Sequence, residues 1–205
     1  MTPRTSLPRD YFDAMYAGSA DPWGFRDRWY ESRKRAVTMA SLPLARYARA
    51  LEPGCSLGVL TTELAARCDA VLAYDPSPAA VDAARAAVTA CSNVEVRLGS
   101  VPADWPEGTF DLVVLSEVAY YLDPGDLTVL VERCISSLVE GGTLLACHWR
   151  HEVQDYPATG DQVHVVLGER PDLHRVAHHL EEDFVLDVWS NGRTPSVAQR
   201  EGLVE

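Results

Sequence analysis

No stretch of this chain approaches the roughly 20 apolar residues that span a bilayer, so a membrane-crossing helix is not expected. Positions 1–10 carry no apolar core of the kind a secretory signal needs, and export is not expected either. Basic residues are scarce. Lys and Arg total 18 against 30 Asp and Glu, a formal net charge of −12. Such a surface repels phosphates, which argues against a general nucleic-acid or anionic-membrane binder. It suits a cationic or neutral small-molecule partner, although much of the charge also serves solubility. The five cysteines (Cys55, Cys68, Cys91, Cys134 and Cys147) show no metal-like spacing. They read as small core residues in a reducing cytoplasm, and no metal is expected. There is no internal repeat and no low-complexity linker. At 205 residues the chain is expected to form one domain over 1–205.

What is present is an alternation of strand and helix patterns. Helices are expected over 29–41, 58–68, 77–88, 123–140 and somewhere within 161–179. Strands are expected over 48–52, 71–74, 94–98, 110–115, 143–149 and 184–189, with a short seventh near 196–204. Ser77-Pro78 and Asp123-Pro124 are helix starts, a capping side chain followed by proline at the first helical position. Residues 110–115 are nearly all apolar, as expected of a strand covered by helices on both faces. The alternation predicts an α/β protein with a mostly parallel seven-stranded sheet between two helical layers. In such sheets ligands bind beyond the carboxyl ends of the strands.

The run Glu52-Pro53-Gly54-Cys55-Ser56-Leu57-Gly58-Val59 reads as a strand end, a glycine turn and a helix start, and Asp75 closes the next strand. Glycine lets backbone approach a ligand, and an acid at that strand end can accept from ribose hydroxyls. A dinucleotide fingerprint would place small residues at 54, 56 and 59; Val59 disfavours it. The acid-x-Gly-x-Ser-x-Gly pattern resembles the first motif of class I S-adenosylmethionine-dependent methyltransferases.

More specific segments extend the resemblance. Tyr11-Phe12-Asp13-Ala14-Met15-Tyr16, Asp21-Pro22-Trp23-Gly24-Phe25, Trp29 to Lys34, Phe110 to Glu117 with Tyr120-Tyr121-Leu122, His148-Trp149-Arg150-His151 and Asp155-Tyr156-Pro157 are similar to NodS-type methyltransferases. That resemblance implies a Rossmann-like class I methyltransferase fold and S-adenosyl-L-methionine as cofactor, with S-adenosyl-L-homocysteine as product. It implies N-methylation of a small amine or amino-sugar acceptor. An O-methyltransferase of a small molecule and a non-catalytic cofactor-binding module stay open as alternatives. Residues 1–42 are expected to form a helical segment over the cofactor site.

Under this resemblance Gly54, Ser56 and Gly58 provide backbone approach to the cofactor. Asp75 accepts from the ribose, or caps the following helix. Glu52 meets the cofactor ammonium through water, or holds the loop's amides. Pro76 flanks adenine; Ser100 and Val101 stand where many relatives carry an acid. Ser116 touches the cofactor's middle. Trp23 excludes water or anchors the core, and Arg33 pairs with the cofactor carboxylate or is solvated. His148, Tyr120 and Glu117 are the candidates for proton handling and catalysis. Tyr121, Trp149, Arg150, His151 and Asp155 are the candidates for contact with the acceptor.

Overall fold

The computed structural model describes residues 5–205. The first ten-residue helix, α1, spans Arg9–Gly18, and α2 spans Trp29–Ser41. Then come β1 (Tyr47–Pro53), α3 (Val59–Arg67), β2 (Cys68–Asp75), α4 (Pro78–Ala87), β3 (Val94–Leu98) and β4 (Phe110–Ser116). A single 3-10 turn over Ala119–Tyr121 leads to α5 (Pro124–Ser137), β5 (Leu138–Trp149), α6 (Gly160–Gly168), β6 (Leu173–Leu180), β7 (Phe184–Asn191) and the one-turn α7 (Val197–Arg200).

The seven strands form one sheet in the order β3-β2-β1-β4-β5-β7-β6. Strands β1 to β5 pair in parallel, and β7 runs antiparallel to both β5 and β6. The expected Rossmann-like, mostly parallel seven-stranded sheet is therefore present. Strand period 2 sends alternate residues of β4 to opposite faces. Val113 and Leu115 enter one core with Leu130 and Val131 of α5 and Val163 and Leu167 of α6. Leu112 and Val114 enter the other with Leu60 and Leu64 of α3 and Val81 and Ala84 of α4. Each such fully buried side chain contributes about 1.5–3 kcal/mol. Strand order reverses between β1 and β4, which opens a crevice at their carboxyl ends.

Local chemistry sets the element ends. The Asp123 side chain accepts from Gly125 and Asp126 N–H, with Pro124 at the first position of α5. Thr159 and Gln162 form a reciprocal capping box on α6. The expected Ser77 cap is different: its hydroxyl donates to Asp13 Oδ1 at 2.6 Å, and the α4 N-terminus is met by Asp75 instead.

Three expectations are corrected. The region 161–179 is not one helix; α6 stops at Gly168 and β6 follows. This edge strand carries His174, Arg175, His178 and His179 and is mostly exposed, so side-chain pattern hides it while pairing with β7 creates it. The segment 196–204 is not a strand, because a Ser196–Gln199 capping box turns it into α7. Strand β5 starts at Leu138 rather than 143. A register shift against β4 between Phe110 and Leu112 absorbs Gly141, at φ 72°.

Gly58 (φ 73°) shows how tightly the helices over β1 and β2 meet: an added Cβ would lie 2.9 Å from Ala84 Cα. Gly192 (φ 80°) has open space at the same point. Gly58→Ala is expected to cost about 2–4 kcal/mol, combining left-handed strain with overpacking. Gly192→Ala should cost only the strain, about 1–2 kcal/mol. Thermal unfolding of both variants checks this, and equal losses would show that the α3–α4 contact can relax.

Candidate active site

The crevice beyond β1 and β4 holds about 1140 Å³ of free space, mouth included. Its floor is the glycine turn. Gly54 and Cys55 N–H both donate to the Tyr74 carbonyl, at 2.6 and 3.1 Å, and Gly58 N–H donates to Cys55 O at 2.9 Å. Gly54 has φ 71°, and an added Cβ would sit 2.0 Å from Val118 Cγ2. Only glycine lets the turn after β1 pack against the segment after β4. Ser56 is also left-handed, at φ 49°, which costs of order 1 kcal/mol for a non-glycine residue. Its conformation is held from two sides. Ser56 N–H donates to Asp75 Oδ2 at 3.0 Å, and its hydroxyl meets Tyr16 OH at 2.6 Å.

Asp75 ends β2, is 6% exposed, and forms part of the crevice wall. Its other oxygen accepts from Ser77 N–H at 3.0 Å. Burial raises its carboxyl above the ordinary range, and these two backbone donors pull it back. Glu52 lies beneath the turn, 2% exposed, and its Oε2 has no hydrogen-bond partner. Burial drives this carboxyl up to about 8, with the Asp75 charge adding to the effect.

The opposite wall carries a buried ion triad. Lys34 Nζ, 5% exposed, reaches Glu117 Oε1 at 2.6 Å and Glu31 at 3.0 Å. Burial opposes the Lys34 charge, but the two carboxylates more than offset it and hold the ammonium above the usual lysine range. Glu117 is left-handed (φ 58°) and is over-determined by its surroundings. Its N–H donates to Cys147 O, and its Oε2 accepts from Tyr120 OH at 2.5 Å and from Trp149 N–H at 3.0 Å.

Of the residues singled out from sequence, Trp23, Glu52, Gly54, Ser56, Asp75, Pro76, Ser100, Val101, Ser116, Glu117 and Tyr121 line this one crevice. The others do not. Gly58 starts α3 against α4. Arg33 points away and forms a two-pronged pair with Glu181 at 2.7 and 2.8 Å. His148 is fully buried behind the 3-10 turn, where burial, His164 and Lys34 hold its ring well below the ordinary histidine range. Tyr120 is buried and spends its hydroxyl on Glu117. Trp149 packs on Tyr30 and His151. Arg150 is tied to Asp161 and to the Glu181 carbonyl, and His151 to Asp183. Asp155 is exposed. A strand's residues alternate faces and its carboxyl-end loop turns away, so nearness in sequence to a strand end does not aim a side chain into the crevice.

Sequence reasoning missed Phe12, Tyr16, Glu31, Lys34, Arg35 and Thr38, all in the wall. The last four had a signal. They sit at i, i+3, i+4 and i+7, one face of a helix, whereas Arg33 lies on the other face. Arg35 donates to the Phe25 carbonyl at 2.7 Å and pairs with Glu63 at 3.1 Å. Among the described residues there is no group of three or more potential metal ligands, and no helix is long and apolar enough to cross a membrane.

The crevice fits an adenosine-bearing cofactor: Gly54 leaves a cradle that a Cβ would fill, Asp75 offers a braced carboxylate, and Glu52 holds an unpartnered oxygen at its base. Comparisons agree. A family model described as "Methyltransferase domain" matches residues 50–142. A solved structure of a putative methyltransferase from Pseudomonas syringae is 45% identical, with TM-score 0.71, over 80% of this chain and 99% of that one. The chain belongs to the methyltransferase family, as a NodS-like class I member. Nodulation protein S of Rhizobium tropici is 34% identical over 128 residues, 61% of this chain and 53% of that protein. The chain thus spans about half the length of this curated relative. N-methyltransferase NodS from Bradyrhizobium japonicum WM9, solved with S-adenosyl-L-homocysteine, shares the fold at TM-score 0.80 and 23% identity, over 90% of this chain and 98% of that one.

Glu52 yields a pH signature. Its folded value of about 8 lies above the unfolded 4.5. At low pH both states are protonated and the residue costs nothing. As pH rises the unfolded chain ionises first, so stability falls until Glu52 ionises near 8 and then levels off. Glu52→Gln should match the wild type at pH 4 and exceed its stability by up to about 5 kcal/mol at pH 9. Denaturant unfolding at both pH values checks it; a constant difference would mean that Glu52 is ionised throughout.

Proposed function

We propose that this chain is an enzyme that transfers the methyl group of S-adenosyl-L-methionine to the nitrogen of a small amine or amino-sugar acceptor. The observation that carries this reading is the shared crevice. Asp75 stands across the glycine turn on one side, and the Glu31–Lys34–Glu117 triad stands on the other. When bound, the cofactor supplies a methyl group already activated on a sulfonium, so the protein's task is positioning.

Gly54 and Ser56 approach the cofactor with backbone, Asp75 accepts from its ribose, and Pro76, Ser100 and Val101 border its base. Arg35 replaces Arg33 as the guanidinium for the cofactor carboxylate. Trp23 and Phe25, with Phe12 and Tyr16, form the cover over the crevice and exclude water. This gives residues 5–42 a closing role within a single catalytic domain. Two carboxylates against one lysine leave the acceptor side net negative, which favours a neutral amine, whose nitrogen becomes cationic on methylation, over an alcohol. Glu117 is braced by Lys34, Tyr120 and Trp149. It accepts a hydrogen bond from the acceptor amine and stabilises the positive charge that the nitrogen gains. Tyr121 borders the acceptor. Five free cysteines, four of them buried, suit a reducing cytoplasm.

Calorimetry should show S-adenosyl-L-homocysteine binding and no nicotinamide dinucleotide binding; the reverse pattern would overturn the cofactor assignment. Incubation with the methyl donor and matched panels of amines, alcohols and acids should add one methyl mass to amines only. Methylated alcohols alone would replace the amine reading with an O-methyltransferase. Asp75→Ala should weaken S-adenosyl-L-homocysteine binding ten- to a hundredfold, the loss of charge-assisted hydrogen bonds worth about 1.5–3 kcal/mol. Unchanged affinity would remove Asp75 from the site.

A further inference from the structure

Behind the crevice runs a buried chain of polar contacts that the catalytic reading leaves unused. Ala119 N–H, the first residue of the 3-10 turn, donates to His148 Nε2 at 3.3 Å. His148 Nδ1 meets His164 Nε2 at 3.0 Å, and His164 Nδ1 meets Asp187 Oδ2 at 2.6 Å. All three side chains are about 95% buried or more. Strand β5 supplies His148, α6 supplies His164 and β7 supplies Asp187. Gly160 makes this approach feasible: a Cβ there would lie 2.9 Å from His148 Cβ and 2.3 Å from Trp149 O. His164 follows one turn later on the same helix face.

The donors and acceptors leave one consistent assignment. A backbone N–H can only donate, so His148 Nε2 carries a lone pair and His148 Nδ1 carries the proton. His164 Nε2 must then accept, which puts its proton on Nδ1, aimed at the Asp187 carboxylate. Both rings are locked in the Nδ1–H form. Asp187 anchors the chain; its other oxygen is met by His178 Nδ1 at 2.9 Å and by Arg175 Nε at 3.2 Å, both from β6.

We infer that His148 and His164 are positioning residues: with Asp187 they form a tautomer-locked chain that holds the 118–121 turn against the glycine loop. The turn matters because Val118 packs directly on Gly54, Tyr121 lines the crevice, and Tyr120 holds Glu117. The inference rests on the cofactor reading above only for its functional consequence.

An added proton finds no free lone pair on either ring. Both bare ring nitrogens already accept. Protonation must therefore break either the Ala119–His148 or the His148–His164 contact and release the turn. The charged and titratable groups facing the pair are Lys34 from α2, Tyr120 from the turn, Asp161 from α6, Asp187 from β7, and His178 and Arg175 beyond it. Burial, the neighbouring His164 and Lys34 all act against a proton on the His148 ring and hold it well below the ordinary histidine range.

Nitrogen-15 spectra of the uniformly labelled full chain test the lock without any ligand. Both rings should show a protonated Nδ1 and a bare Nε2 at pH 7.5; a proton on His148 Nε2 would overturn the inference. The coupling is read by S-adenosyl-L-homocysteine calorimetry from pH 7.5 to 5.5. His148→Phe, which leaves Ala119 N–H unpaired, should bind at least fivefold more weakly. His148→Gln, whose side-chain oxygen reaches the same N–H and cannot titrate, should recover most of that loss and show a shallower decline in acid than the wild type. Equal affinities for wild type and the Phe variant, or identical acid profiles for wild type and the Gln variant, would sink the coupling. If wild type binds no S-adenosyl-L-homocysteine while the ring spectra are as expected, the cofactor reading fails and the locked chain stands.

Discussion

Glu117 is the point on which one wall of the crevice closes. One carboxylate receives Lys34 from α2, Tyr120 from the turn after β4, and the Trp149 backbone from β5. Three separate segments thus share a single buried anion. Taking Lys34 and Glu117 out of water is costly, and the pair is held only because every lone pair in use has a donor of good geometry. Removing one partner of such a pair typically costs about 3–5 kcal/mol, because it leaves the other charge buried and alone. The left-handed backbone at Glu117 has the same origin. Its strain is tolerated because three contacts over-determine the side chain.

On the other side of the crevice the organising group is Asp75. Each of its two oxygens accepts one backbone N–H and keeps a lone pair for a further donor. The glycine turn is shaped by exclusion as much as by attraction. Gly54 must lack a side chain because Val118 fills that space. The two faces of the crevice are therefore not independent: Val118 touches the floor, and Glu117 and Tyr121 on the same chain segment line the opposite wall. The His148–His164–Asp187 chain extends this coupling through the sheet to its far edge.

The crevice follows from an open, mostly parallel sheet whose strand order reverses between β1 and β4. Ligand binding at that reversal is a general consequence of such topology. Chemistry at the site comes from the loops. A fold hosts many acceptors, so the proposal of a nitrogen nucleophile is carried by the acidic wall and not by the fold.

Much was readable in the residues alone. The glycine turn, Asp75, the apolar β4 strand and the proline-marked helix starts are local signals, and their spacing dictated the α/β order and the cofactor side of the crevice. Short-range rules act within a few residues, which is why these survived folding unchanged. Tertiary structure decided the rest. Edge strand β6 exists through pairing with β7, against a polar pattern that reads as helix. The direction of α2 put Lys34 and Arg35 into the crevice and Arg33 out of it. His148 ended behind the turn, not beside the methyl donor, because a side chain at a strand end takes whichever face the sheet's alternation assigns. Such outcomes depend on packing partners far along the chain, as Lys34 with Glu117 at a separation of 83 and Arg33 with Glu181 at 148 show. A local pattern groups residues on one face, but only tertiary packing decides where that face lies.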